Sequence, residues 1–112
     1  MANEIQPVTD WLNSNANKAI RIAKEEQEDI DRVDLQLSRV EYREYQPDAP
    51  DDYTNGSALL LYGEGTVINN GSEEALPQGT FVIPLEGLSV ADLSEDSVVL
   101  KTERAVYSLT LQ

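Results

Sequence analysis

Apolar and polar residues follow two different periods along this chain, and the change between them divides it. From Pro7 the period is helical. Val8, Trp11, Leu12, Ala16, Ala19, Ile20 and Ala23 recur at three- and four-residue spacing and form one apolar stripe. Proline suits the first turn of a helix. The stripe predicts an N-terminal helix that ends near Asp29. A kink or a break into two helices is expected at Asn13-Ser14-Asn15-Ala16-Asn17, where short polar side chains compete for backbone hydrogen bonds. The last turns of such a helix would carry Glu25, Glu26, Glu28 and Asp29, the wrong sign for the negative end of the helix dipole. Helix propensity gives no account of that cluster. A solvated face does, and so does a face turned to a basic partner.

From Ile30 the period falls to two. Val33, Leu35 and Leu37 alternate with Asp34 and Gln36, and Val40 and Tyr42 then alternate on the opposite parity. A parity switch inside one strand predicts a bulge near Ser38-Arg39. Pro47 and Pro50 end this strand. The stretch 57–69, SALLLYGEGTVIN, has the strongest strand chemistry of the chain. Turn signals fence it, Asn55-Gly56 before and Asn69-Asn70-Gly71-Ser72 after. One end is apolar on both faces, which predicts a central strand covered from two sides. Gly63 and Gly65 leave side-chain space empty in its second half, where a bend or a concave site is expected.

Beyond it, residues 70–78 read as a turn region with Glu73 and Glu74 exposed. Thr80 to Ile83 reads as a strand, with Pro84 fixing an edge position or a strand end. Leu85, Leu88, Val90 and Leu93 suggest an anchored connection, and Ser94-Glu95-Asp96 a turn. Val98 to Thr102 and Ala105 to Leu111 form a hairpin across Glu103-Arg104. Those two residues do not suit a two-residue loop, so a longer turn is expected.

The sum is a single α+β domain over 1–112: an N-terminal helix packed on an antiparallel sheet of about five strands. A small bent barrel of the Sm or SH3-like kind with a preceding helix is the alternative. A PH-like barrel fits less well, because such barrels carry their helix at the C-terminus.

Composition narrows the chemistry. The chain has no histidine and no cysteine, which removes histidine acid–base work, thiol nucleophiles and ordinary zinc or copper sites. No catalytic, cofactor-binding or metal-binding residue is assigned, no cofactor is expected, and the expectation is a protein that is not an enzyme. The opening residues lack a basic segment followed by an apolar one, so no signal peptide is read, and a cytoplasmic location is expected. No apolar run is long enough to span a membrane. The net charge is −13, from 8 basic and 21 acidic residues. That field opposes binding to nucleic acid or to an anionic membrane and favours a basic protein partner.

The loop Asp48 to Gly56 offers three carboxylates and an amide, the oxygen chemistry of a hard cation. It departs from the EF-hand pattern at Tyr53 and Tyr62, and Asp and Asn are ordinary turn residues, so a solvated loop is the simpler reading. Gly63-Glu64-Gly65 is followed by more strand, not by a helix, which argues against a phosphate cradle. The Asn-Gly-Ser triplets at Asn55 and Asn70 match the glycosylation pattern but serve as turns. Trp11 is a candidate anchor for a partner, although its spacing also fits a core.

The residues expected to meet a partner are therefore Trp11, Glu25, Glu26, Glu28, Asp29, Asp51, Asp52 and Tyr53. The leading functional expectation is a small, acidic, non-enzymatic binding or regulatory module. One alternative is an acidic mimic that blocks a nucleic-acid-binding protein, prompted by six acids within residues 25–34. Another is a carboxylate-based, cation-dependent enzyme. Short edge strands also raise the expectation of a homo-oligomer.

Overall fold

The first helix is short because its C-terminal sequence stops it. The computed structural model describes residues 5–43, 57–69 and 71–112. Helix α1 spans Ile5–Ser14, and Ile5, Val8 and Leu12 form its buried stripe. Burying a side chain such as Val8 or Leu12 contributes about 1.5–3 kcal/mol as an upper figure. Asn15 then turns back on the helix: its side-chain Nδ2 donates to the Trp11 carbonyl at 2.8 Å, and its Oδ1 accepts from Lys18 Nζ at 3.2 Å. Asn17 takes φ 71°, a left-handed conformation that Asn tolerates better than most residues. These contacts end the helix where the sequence placed a kink or a break into two helices.

The next element is a strand, which corrects the expectation of a helix reaching Asp29. Strand β1 spans Ala19–Glu26 and β2 spans Asp29–Arg43. Ile20 and Ile22, two β-branched residues at a period of two, are fully buried. Ala19, Ile20 and Ala23 also fall at helical spacing, and small alanines satisfy either period. The acidic cluster therefore sits on a hairpin and meets no helix dipole.

The turn of that hairpin has two residues, since Glu26 lies opposite Asp29. Gln27 is held at φ 57°. A left-handed residue with a side chain carries a cost of about 1–2 kcal/mol that glycine avoids. Gln27→Gly is expected to stabilise the fold by about 0.5–1 kcal/mol net of glycine's larger chain entropy, read as a higher midpoint in urea denaturation.

Strand β3, Ala58–Asn69, is the centre that its sequence predicted. It pairs with β2 along its whole length. Its other edge is shared. Strand β4, Ser72–Ala75, covers Thr66 to Asn69, and strand β5, Thr80–Pro84, covers Ala58 to Tyr62. A 3₁₀ turn at Pro77–Gly79 lies between β4 and β5. The ladder between β2 and β3 shifts register between Leu37 and Arg39, so Ser38 is the extra residue of the expected bulge. Leu59, Leu60 and Leu61 are all buried, on both faces of the strand.

Three further strands complete the sheet: β6 at Ser89–Leu93, β7 at Ser97–Lys101 and β8 at Val106–Leu111. The order is β4-β3-β2-β1-β8-β7-β6, with β5 beside β3, eight antiparallel strands among the described residues. Three of these were not expected, β1 among them, so the sheet has eight strands where about five were expected. The stretch read as a turn region contains β4, and the stretch read as an anchored connection contains β6. The hairpin of β7 and β8 has the longer turn expected, residues 102–105. Thr102 Oγ1 accepts there from the Ala105 amide at 3.2 Å.

The sheet is strongly curled but not closed, which sets aside the barrel alternative. In a flat sheet β5 and β8 would stand four strand spacings apart, about 19 Å. Yet the Phe81 and Tyr107 rings meet edge to face with centroids 6.4 Å apart. The chain passes from β5 to β6, at opposite ends of the order, through residues 85–88 alone. The core lies inside this curl, where Val8 and Leu12 of the helix meet Leu35, Leu61, Ile83, Leu100 and Leu109. The edges carry features that weaken strand addition. β4 bears Glu73 and Glu74, β5 ends in Pro84, and β6 shifts register between Val90 and Asp92.

Candidate functional site

The β1–β2 hairpin gathers six acids: Glu25, Glu26, Glu28, Asp29, Asp31 and Asp34. Alternation sends them to both faces. Glu25 and Glu26 are successive strand residues and point to opposite sides of the sheet. Glu26 lies opposite Asp29, a like-charge cross-strand pair, and Lys24 lies opposite Asp31. Lys24 Nζ approaches Glu26 at 3.4 Å, and Asn69 Nδ2 donates to Asp31. Arg21 Nε donates to Asp34 Oδ1 at 2.9 Å. Glu25, Glu28 and Asp29 are exposed and have no ion pair among the described residues. Beside them Ile30 is 63% exposed, the most open large apolar side chain described. A charged tip without ion pairs among the described residues, with an apolar residue beside Glu25 on one face, can receive a basic surface.

The other expected contact residues fall elsewhere. Trp11 is half-buried against the core, and its indole nitrogen donates to the Glu95 carbonyl at 3.1 Å. That bond ties α1 to the turn between β6 and β7, so Trp11 serves the fold with most of its ring and stands apart from the hairpin. Asp51, Asp52 and Tyr53, with the rest of the loop from Asp48 to Gly56, lie outside the described residues. Tyr107, on β8 beside β1, is pushed above the ordinary tyrosine range chiefly by burial, with Glu26 adding and Arg104 opposing.

Two features were not read from sequence, or were read only in part. The first is a cluster on β2 and β3. Tyr62 Oη donates to Glu41 Oε1 at 2.9 Å, and the Arg39 guanidinium lies 3.9 Å above the Tyr62 ring. Arg39 and Arg43 both approach the Glu41 carboxylate, at 3.8 and 3.7 Å. Register brings Arg39 opposite Tyr62, and the bulge at Ser38 is what sets that register. The second is an open groove of about 650 Å³ that crosses β3, β2 and β1. Gly63, Gly65 and Gly79 form part of its wall, and Asp34 and Glu64 supply its acidic groups. The concavity falls at the two glycines where the sequence placed it. Its acid-bearing lining comes from cross-strand register, which no local pattern prints.

Among the described residues, no group of three or more Asp or Glu side chains is placed to hold a metal ion. None of the described helices is long and apolar enough to cross a membrane.

These features define the class: a small acidic α+β domain whose one short helix fills a curled antiparallel sheet. The chain belongs to the family of YmzB-like proteins, whose model matches residues 1–112. It is similar to the uncharacterized protein YmzB of Bacillus subtilis (strain 168), with 32% identity over 118 residues, covering 100% of this chain and 98% of that protein. No solved structure matches the chain.

Proposed function

We propose that this chain is a non-enzymatic binding module that acts through protein–protein contacts and receives a basic partner at the β1–β2 hairpin. The observation that carries the reading is the hairpin tip, where Glu25, Glu28 and Asp29 are exposed and without an ion pair among the described residues, and Glu25 shares its face with the exposed side chain of Ile30. Charges of one sign on a rim speed encounter with a partner of the other sign, and an apolar residue beside them gives the contact area to bury. Mimicry of a nucleic acid draws on the same net charge. It needs carboxylates spaced like phosphates along one surface, and the hairpin divides its acids between two faces. A carboxylate enzyme needs two acids free to act together, whereas Asp34 is held by Arg21.

The test is a pull-down from the native host with the wild-type chain and two neutralised variants. Glu25→Gln, Glu28→Gln and Asp29→Asn together are expected to weaken capture of a basic partner about tenfold at moderate salt. Glu73→Gln, Glu74→Gln and Glu103→Gln remove the same charge elsewhere and are expected to leave capture intact. Equal loss in both variants would refer the attraction to net charge and sink the hairpin reading.

A further inference from the structure

We propose that the groove across β3, β2 and β1 binds an alkylammonium group, an amine carried on an aliphatic stem. This inference does not rest on the hairpin reading, because the groove is a different surface. Most of the polar groups that line it offer acceptors, and the Gln112 amide nitrogen donates away to the Thr110 carbonyl at 3.4 Å. Glu64 is exposed and accepts no hydrogen bond among the described residues. Asp34 gives one oxygen to Arg21 and keeps the other. Gln36 commits its side-chain nitrogen to the Asn17 carbonyl at 3.1 Å, which leaves the amide oxygen. Thr66 adds a hydroxyl.

Sheet register arranges these groups in a square. Asp34 lies opposite Thr66 and Gln36 opposite Glu64. The two carboxylates therefore sit on a diagonal, about 7–8 Å apart at the sheet surface. The rest of this face is small or bare: Ala19 lies opposite Gln36 and Ala75 opposite Thr66, both exposed, with glycine backbone between them, while Ile20 and Leu35 turn their side chains to the core. Carboxylates at two opposite corners, with a floor of alanine methyls and glycine backbone between them, match a short diamine or a lysine side chain, whose methylenes lie on the floor and whose nitrogen donates to a carboxylate. The volume of about 650 Å³ has room for either. The net charge of −13 raises the local concentration of such cations.

The glycine amides supply the readout. In a ¹⁵N-labelled sample titrated with 1,4-diaminobutane, or with an acetylated lysine amide, the Gly63, Gly65 and Gly79 resonances are expected to shift and saturate. 1-Butanol, which lacks the charge, is expected to shift them little. The tighter of the two amine probes tells a free diamine from a protein's lysine. Glu64→Gln is expected to weaken the interaction about fivefold, while Glu103→Gln, with the same change in net charge, leaves it unchanged. Ala75→Leu, at an exposed strand position on the groove wall, is expected to block it. The proposal is overturned if the amine probes leave these glycines unmoved, if both glutamine variants lose affinity equally, or if butanol shifts them as much as the diamine does.

Discussion

Replacing Gly63 with alanine is expected to cost about 3 kcal/mol or more of folding stability, among the largest effects of any single substitution in this chain. A Cβ at this position would stand 2.0 Å from the Gln36 carbonyl oxygen and 3.2 Å from the Ser38 amide nitrogen. Both neighbours are backbone, so neither can turn aside as a side chain would. Gly63 lies opposite Leu37, the last pair before the bulge, and the extra residue Ser38 presses β2 toward β3 there. Relief requires the two longest strands of the sheet to separate where the ladder is already irregular. Thermal unfolding followed by circular dichroism is expected to show a midpoint lower by 10 °C or more, on the order of 4 °C per kcal/mol for a domain of this size. A change within 2 °C would mean that β2 and β3 do not approach as closely as this at the bulge.

Leu61→Ala is expected to destabilise the protein by about 2–5 kcal/mol, through the lost transfer energy and the cavity left behind. Leu61 is fully buried and stands between Val40 of β2 and Phe81 of β5. The strands on both sides hold the site open, so the surroundings have little room to collapse into it. Ile30→Ala removes an equally large side chain from an exposed position and is expected to change stability by no more than about 0.5 kcal/mol. Chemical denaturation of the two variants side by side tests the direction in which each strand faces. Equal effects would mean that the two positions are equally buried, and reversed effects that the inside and outside of the sheet have been exchanged.

The central element was legible because its signals are local. Leu59 to Leu61 form an apolar run, Asn-Gly pairs bound it, and the parity switch at Ser38 lies within a single strand. Each depends on neighbours a few residues apart. Pro84 marked a strand end for the same kind of reason, since a proline cannot donate to a ladder wherever it sits. The concavity at Gly63 and Gly65 was legible because a missing side chain is itself a local fact.

The misread segments share a cause. Ala19 to Glu26 satisfies a helical stripe and a strand alternation equally well, and Ile20 and Ile22 settle the matter only by packing against distant partners. β1 lies between β2 and β8, with Ile20 opposite Leu35 on one side and Leu111 on the other. β4 is four exposed residues whose only described ladder is with β3. β6 likewise pairs with β7 alone among the described residues. None of these segments carries its own reason to be a strand. The candidate sites divide in the same way. The acidic cluster was visible as composition, and its mismatch with a helix C-terminus, read there as a solvated or partner-facing surface, disappears once the segment is a strand. That Glu25 and Glu26 face opposite sides follows from the segment being a strand, and that Asp34 and Glu64 share a groove follows from register.

Local chemistry along the chain is enough to set the period and bounds of β3, the bulge at Ser38, the tight turn from β3 into β4, and the absence of histidine and thiol chemistry. Each of these is fixed within a few residues by sterics, side-chain spacing or composition. Long-range pairing settled the rest: that residues 19–26 are a strand, that eight strands form one curled sheet, and that Phe81 reaches Tyr107. Strands far apart in the chain supply the hydrogen bonds and buried area for those outcomes, and a local pattern that fits two periods leaves the choice to them.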